Sequence, residues 1–367
     1  MTTPALNTRQ SKLGKGTLPR YATWVVLGGA LVLGAAVSSL IGFHVVGWAV
    51  LSALFFVAGA VTATAVVEGS RKGVDSLATF LVYGCFLIAL LPLLSVVWTV
   101  LERGLPGISY DFLFTSMNGV TGAVDNESGK SGSPVLGGAY HAIVGTLQIT
   151  LWATLISVPI GLLAAIYLIE YSTGGPLGRA ITFFVDVMTG IPSIVAGLFA
   201  AAFFALLFGP GTRTGFVAAV ALSVLMIPVV VRSTEEMLKI VPNELREAAY
   251  ALGVRKWQTI ARVVIPTAIS GIASGVTLAI ARVIGETAPI LVTAGFASSI
   301  NMNVFGGWMS TLPTFIYYQI LTPTSPTNIA ASTQRAWAAA LVLIVMVMLL
   351  NLAARVIARF FAPKTSR

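Results

Sequence analysis

Charge is scarce in this sequence. Only 10% of its 367 residues are Asp, Glu, Lys or Arg, while 56% are hydrophobic. Soluble domains carry roughly 25% charged residues. With a mean hydropathy of +0.90, the chain lacks the polar surface that an ordinary soluble enzyme needs, and it reads as an integral membrane protein. Cysteine is scarcer still. Cys85 stands alone in an apolar segment, which excludes a disulfide framework and a thiolate metal site. Two histidines, His44 and His141, are too few for a metal cluster. A phosphate-binding loop is missing too, because the one Gly-Lys-Ser run, at 129–131, has Val124 where a second glycine would stand. No catalytic centre, metal, cofactor or nucleotide site of its own is expected in this chain.

What the chain does have is apolar length and an uneven spread of positive charge. A bilayer-spanning helix takes about 20 mostly apolar residues. Eight runs qualify, near 22–42, 44–67, 76–101, 141–169, 180–208, 214–232, 264–295 and 334–357. The fold class is therefore all-α, a polytopic membrane protein with about eight transmembrane helices. The first run is longer than a signal-peptide core and a second follows at once, so it is expected to be retained. The net charge of +9 does not point to nucleic acid, because the Lys and Arg residues fall in short gaps between apolar runs rather than on one domain face. With the N-terminus placed inside, 17 of the 22 basic residues fall in cytoplasmic segments, as the positive-inside rule requires. Both termini are thus expected in the cytoplasm. Two long outer segments, 102–140 and 296–333, are rich in Gly, Ser, Thr, Asn and Pro and are expected to be ordered only in part.

The largest polar island, 232–266, follows the sixth run. Ser233 with Glu236 three residues on has the spacing of a capping box, which predicts a helix start there. Val241 and Pro242 then interrupt, and a short helix over 243–252 sets Leu245, Ala248, Ala249 and Leu252 on one face. Gly253 supplies a left-handed terminus. By spacing alone this helix is either a docking element for another protein or an amphipathic connector on the membrane surface.

The run Glu-Ala-Ala-Tyr-Ala-Leu-Gly at 247–253, with Ile-Pro at 265–266, resembles the EAA coupling loop of type I ABC-importer permeases. Gly-Ile-Pro-Ser-Ile-Val-Ala-Gly-Leu-Phe at 190–199, the stretch 226–242, and Ala-Arg-Val-Ile-Gly-Glu-Thr-Ala-Pro-Ile at 281–290 resemble the phosphate-importer branch, the PstA permeases. The resemblance runs from about residue 76 to the end. It implies a permease subunit that translocates phosphate across the plasma membrane without an ATPase site of its own. The implied partners are a dimer of cytoplasmic ATP-binding subunits, a second PstC-like permease and an extracytoplasmic phosphate-binding protein, within membrane lipids. ATPase coupling falls to Leu245, Glu247, Ala248, Ala249, Leu252 and Gly253. The expected organisation is a cytoplasmic tail at 1–21, two additional helices at 22–75, a six-helix core at 76–357 with its coupling loop at 233–263, and a cytoplasmic tail at 358–367. Permeases of this family generally have six spans, so the first two here are an addition, serving as lipid-facing packing or as a docking surface.

Arg282, Glu286 and Thr287 are the candidate pathway residues. An ionisable group in mid-bilayer costs on the order of 3 kcal/mol and is rare without polar surroundings. Arg282 and Glu286 are four apart, so on one helix they share a face and neutralise each other. They line a solute path or form a structural pair that fixes helix register. Gly285, Thr287 and Pro289 predict a loosened backbone there, and Gly271 with Gly275 predicts close packing on a neighbouring helix. Asp186 is expected on an interfacial helix before a turn at Gly190 and Pro192. Arg232 is expected to anchor to headgroups, His141 to face water, and Asp111, Asp125 and Glu127 to lie in a solvated loop. Two rival readings stay open: a permease for another oxyanion such as sulfate or molybdate, and a membrane scaffold that docks an ATPase without transporting.

Overall fold

The computed structural model describes residues 16–128, 135–172 and 174–361. Most of both predicted tails and the Gly-Lys-Ser run at 129–131 lie outside them. The chain is 79% helical, with no strand among the described residues. Among the described residues, seven helices are long and apolar enough to cross a bilayer, or eight if one bent pair counts as a span. The chain is a multi-pass membrane protein.

Contacts divide it at Val97 and Trp98 into two compact units. In the first, α1 (Ala22–Ile41) and α2 (Val45–Val67) form a hairpin, and α3 (Ser70–Gly104) begins. Gly34 lets α1 and α2 touch, since a Cβ there would stand 2.1 Å from the Ser52 hydroxyl. Trp48 Nε1 donates to the Leu31 carbonyl at 3.1 Å. The outward faces, Val25, Val32, Leu54, Leu81 and Ile88 among them, are exposed and apolar, as a lipid-facing surface must be. Glu68 holds the chain before α1, accepting from Leu18 N–H at 2.8 Å and from Lys72 at 2.9 Å.

The second unit carries α4 (Tyr110–Phe114), α5 (Gly122–Glu127), α6 (Tyr140–Ile166), α7 (Pro176–Gly190), α8 (Ser193–Phe208) and α9 (Gly215–Ile240). Then follow α10 (Asn243–Ala251), α11 (Lys256–Thr259), α12 (Ile265–Ile284), α13 (Ala288–Thr293), α14 (Leu312–Leu321) and α15 (Ile329–Phe361). Helix α9 is central, packed against α6, α7, α8, α12 and α13. Apolar burial does little to join helices in lipid, so close packing through small residues must. Gly161 of α6 admits Val230 of α9, where a Cβ would stand 2.7 Å from Val230 Cγ1. The predicted Gly271 and Gly275 pair works in the same way. Added Cβ atoms would meet Met237 Sδ at 2.1 Å and Ser233 Oγ at 2.3 Å, so the glycines of α12 make room for these α9 side chains.

The spans differ from the sequence expectation in three places. The fifth run is broken: α7 and α8 meet at 110°, turning at Ile191 and Pro192 as expected of an interfacial helix leading inward. Helix α9 continues to Ile240, so Ser233 opens no new helix, and its hydroxyl donates to the Val230 carbonyl at 3.2 Å. The capping-box spacing is overridden because packing against α6 and α12 keeps the helix going. The seventh run ends at Ile284, and the chain resumes as α13.

The two polar segments flanking the core are knit together. Arg335 of α15 and Asp125 of α5 form an ion pair, Nη1 to Oδ1 at 2.9 Å and Nη2 to Oδ2 at 2.5 Å, with 1% and 0% of their side chains exposed. Asp125 was expected in a solvated loop. It is buried because α5 and the 324–328 turn close over Arg335, with Asn328 Nδ2 donating to the carbonyls of Asp125 and Ser128 at 2.8 and 2.9 Å. His141 is buried too, edge-on to Phe315 at 5.4 Å, rather than facing water. The first turn of α6 sits beneath α14, which removes it from solvent.

Candidate functional site

The helix expected to meet an ATPase, α10, forms as its sequence dictates. Pro242 precedes α10, and the helix closes in a Schellman motif: Gly253 N–H donates to Tyr250 O at 2.9 Å and Val254 N–H to Ala249 O at 3.1 Å. That motif needs a left-handed residue at its turn, and Gly253 has φ 73°. Leu245, Glu247, Ala248, Leu252 and Gly253 are exposed, Leu252 at 84%. Ala249 is not. It turns inward and is 8% exposed, so the predicted face loses one member, while Tyr250 joins the exposed side at 41%. The reason is that α10 rests on α11 and the π-helical turn Ile260–Val264, which leaves one side of the helix covered.

Arg246 fixes this helix to the spans. Its guanidinium donates to the Leu238 carbonyl at 3.0 Å and the Val241 carbonyl at 2.6 Å. These carbonyls end α9, where backbone acceptors run short of helical donors; Leu238 O takes only a long bond from Val241 N–H at 3.4 Å. It also pairs with Glu170 at 2.8 Å, in the π-helical turn Tyr167–Tyr171 that ends α6. One side chain therefore ties α10 to the ends of both α6 and α9. Sequence reasoning missed this. Its only local signal is an acid placed where an apolar run ends.

The predicted pathway residues lie where α12 breaks. Gly271 faces Met237 and Gly275 faces Ser233, so extending this antiparallel register by seven residues brings Arg282 level with Met226, near the middle of α9. Thr267, Ser270, Ser274, Leu278, Arg282 and Gly285 are all exposed. Their spacing of three or four residues makes them one stripe. Thr267 and Ser274 donate to their own helix, at Val263 O (2.6 Å) and Ser270 O (2.9 Å), so hydrocarbon would tolerate them. It would not tolerate Arg282.

The expected Arg282 to Glu286 pair does not form. Because the helix stops at Ile284, Glu286 leaves the face it would have shared, and its N–H donates to Val283 O at 3.1 Å. Arg282 is exposed and has no carboxylate partner among the described residues, and Glu286 and Thr287 are half-buried at the break. Gly197 of α8 seats the break, since a Cβ there would stand 2.6 Å from Pro289 Cα. Arg232 departs from expectation too. It does not reach for headgroups but lies between Asp186 and Glu235, the latter at 2.8 Å, because the long α9 carries it beneath α7. No group of His, Cys, Asp or Glu among the described residues could hold a metal ion.

A long apolar bundle, a break after α12 beside the exposed Arg282, and a short exposed helix tied to two spans by Arg246 describe a multi-pass membrane protein with a polar break and a bare polar helix. The chain matches the family of binding-protein-dependent transport system inner membrane components over residues 157–367. It is 45% identical over 298 residues, covering 81% of this chain and 91% of the relative, to phosphate transport system permease protein PstA 1 of Mycobacterium tuberculosis (strain ATCC 25618 / H37Rv). It is 36% identical to PstA of Yersinia pestis, covering 80% and 92%. Among solved structures, an inward-facing MetNI methionine ABC transporter aligns at a TM-score of 0.48 with 21% identity, covering 60% and 94%. The chain belongs to the PstA family of transport permeases.

Proposed function

We propose that this chain is the permease subunit of an ATP-binding-cassette importer that carries inorganic phosphate across the plasma membrane. One observation carries the reading: Arg282, exposed on the polar stripe of α12 where the span breaks, has no ion-pair partner among the described residues. A charge there is costly unless it meets water or another chain's polar face, and a path between two permeases supplies both. Arginine's planar fork of donors suits the oxygens of a phosphate ion. Glu286 and Thr287, one and two residues past Gly285, line the same break. The names of the relatives support phosphate as the solute.

In this reading the six-helix core at 76–357 pairs with a second, PstC-like permease across the α12 stripe. A dimer of ATP-binding subunits docks on Leu245, Glu247, Ala248, Leu252 and Gly253, and hydrolyses ATP on its own sites, this chain having none. An extracytoplasmic phosphate-binding protein delivers the solute at the opposite end. Closure of the ATPase dimer moves α10, and Arg246 passes the motion to the end of α9 and to Glu170. Both termini lie in the cytoplasm, an orientation that the distribution of basic residues supports. The additional helices α1 and α2 serve as lipid-facing packing.

Uptake of labelled phosphate, sulfate and molybdate tests the reading in cells carrying wild type, Arg282→Lys or Arg282→Gln. Phosphate uptake alone should need the chain, with Arg282→Lys retaining a fraction and Arg282→Gln inactive though expressed. Normal phosphate uptake by Arg282→Gln would overturn the pathway role. Uptake of sulfate or molybdate instead would overturn the solute.

A further inference from the structure

An open cleft of about 610 Å³ lies between α7, α9 and the last turn of α6. Its floor is the Arg232 ion triad, in which one guanidinium answers Asp186 and Glu235. Two further cations line it, Arg179 from α7 and Lys239 from α9. Both are exposed and neither has an ion-pair partner among the described residues. The lining as a whole carries one net positive charge. Leu168, Ile169 and Phe183 supply an apolar wall beside these cations. Outside the cleft, α7 exposes Leu177, Ala180, Phe184 and Val187 at helical spacing, the apolar face of a helix lying in the membrane surface.

A site with cations beside apolar walls, opening onto a lipid-facing stripe, matches an amphiphile whose charge is an oxyanion. A free ion would use the cations and leave the wall idle. We propose that this cleft binds the phosphate headgroup of an anionic phospholipid, with Arg179 and Lys239 on the headgroup and acyl chain along Leu168 and Phe183. Its assignment to the inner leaflet rests on the orientation proposed above. The bound lipid would brace α7 against α9, the helix that ends at the Arg246 anchor of α10. Clusters of Lys and Arg at the cytoplasmic surface attract anionic lipid in this way.

The test uses the complete importer purified in detergent, exchanged into phosphatidylcholine with or without phosphatidylglycerol, and analysed by native mass spectrometry. Wild type should retain phosphatidylglycerol in preference to phosphatidylcholine. The Arg179→Gln, Lys239→Gln double variant should bind it about thirty-fold more weakly, while Arg179→Lys with Lys239→Arg should keep it, which separates lost charge from misfolding. Equal retention of phosphatidylglycerol by wild type and the Gln double variant would overturn the site, as would equal retention of the two lipids by wild type. Inorganic phosphate that displaces phosphatidylglycerol from wild type at millimolar concentration would overturn the lipid assignment in favour of a free-anion site. Lipid retention needs no transport, so failure here and failure of the uptake experiment are distinguishable.

Discussion

Removing one member of the Asp125 and Arg335 pair should open the contact between the two polar segments it joins. Arg335 spends its donors on Asp125, on Leu136 O at 2.8 Å, on Gln319 Oε1 at 3.2 Å and on Ser332 Oγ at 3.2 Å. Asp125→Leu leaves a guanidinium with 1% exposure and no counter-charge. Breaking such a buried pair costs about 3–5 kcal/mol, a factor of roughly 100 to 4,000 in the local opening equilibrium. Asp125→Leu with Arg335→Met removes both charges, leaving only the neutral acceptors Gln319 Oε1 and Leu136 O without their donor. It should therefore lose less than either single change, giving a coupling of at least about 2 kcal/mol in a double-mutant cycle. Hydrogen exchange reads this directly, because the Thr324 and Asn328 amides bond to Ser332 and Ser325 hydroxyls at 3.1 and 3.2 Å. Their protection should collapse in the single variants while the α9 amides stay protected. Single changes that cost under about 1 kcal/mol and add would refute the claim that this pair holds the segments together.

Other outcomes follow from the coupling helix, the pathway and the first unit. At Gly253 a Cβ would meet nothing within 4 Å, so Gly253→Val should suffer chiefly the left-handed backbone penalty of roughly 1–2 kcal/mol. Gly253→Asn should recover most ATPase association in a pull-down, and equal association by Val and Asn would discount the turn. Leu252→Asp, on the exposed face, should abolish that association while leaving the protein's thermal midpoint unchanged. Ala249→Arg, at a buried position, should lower the midpoint as well. Because Arg282 and Glu286 make no ion pair, exchanging them should fail to restore phosphate uptake, and full recovery would restore the structural-pair reading. The Glu68 carboxyl is held below its ordinary value of 4.5 by the Leu18 N–H and then by Lys72. The Leu18 tether should therefore be fully present above that value and fail only as pH falls through the lowered one, read as exchange at the Leu18 amide after correction for intrinsic rate. Glu68→Gln should abolish that pH dependence.

Much of the fold was legible in the chain because its causes are local. Apolar length locates the spans, Gly-Ile-Pro at 190–192 marks the turn into α8, and the Gly285 to Pro289 stretch marks the break after α12. Alanines and a terminal glycine suffice to specify α10, down to the sign of φ at Gly253. The spacing of Gly271 and Gly275 told of a close neighbour without naming it. What sequence could not assign was the partner of each charge. Arg335 and Asp125 stand 210 residues apart, Arg246 and Glu170 76 apart, and Arg232 and Asp186 46 apart. Arg282 and Glu286, four apart, are separated by the end of a helix. Periodicity ranks faces but does not say which face another element will cover, and so Ala249 turned inward while Leu252 stayed bare. Helix propensity and hydropathy are sums over neighbours in the chain. The pairing and burial of a charge are decided by whichever groups tertiary packing brings within reach, at any separation along it.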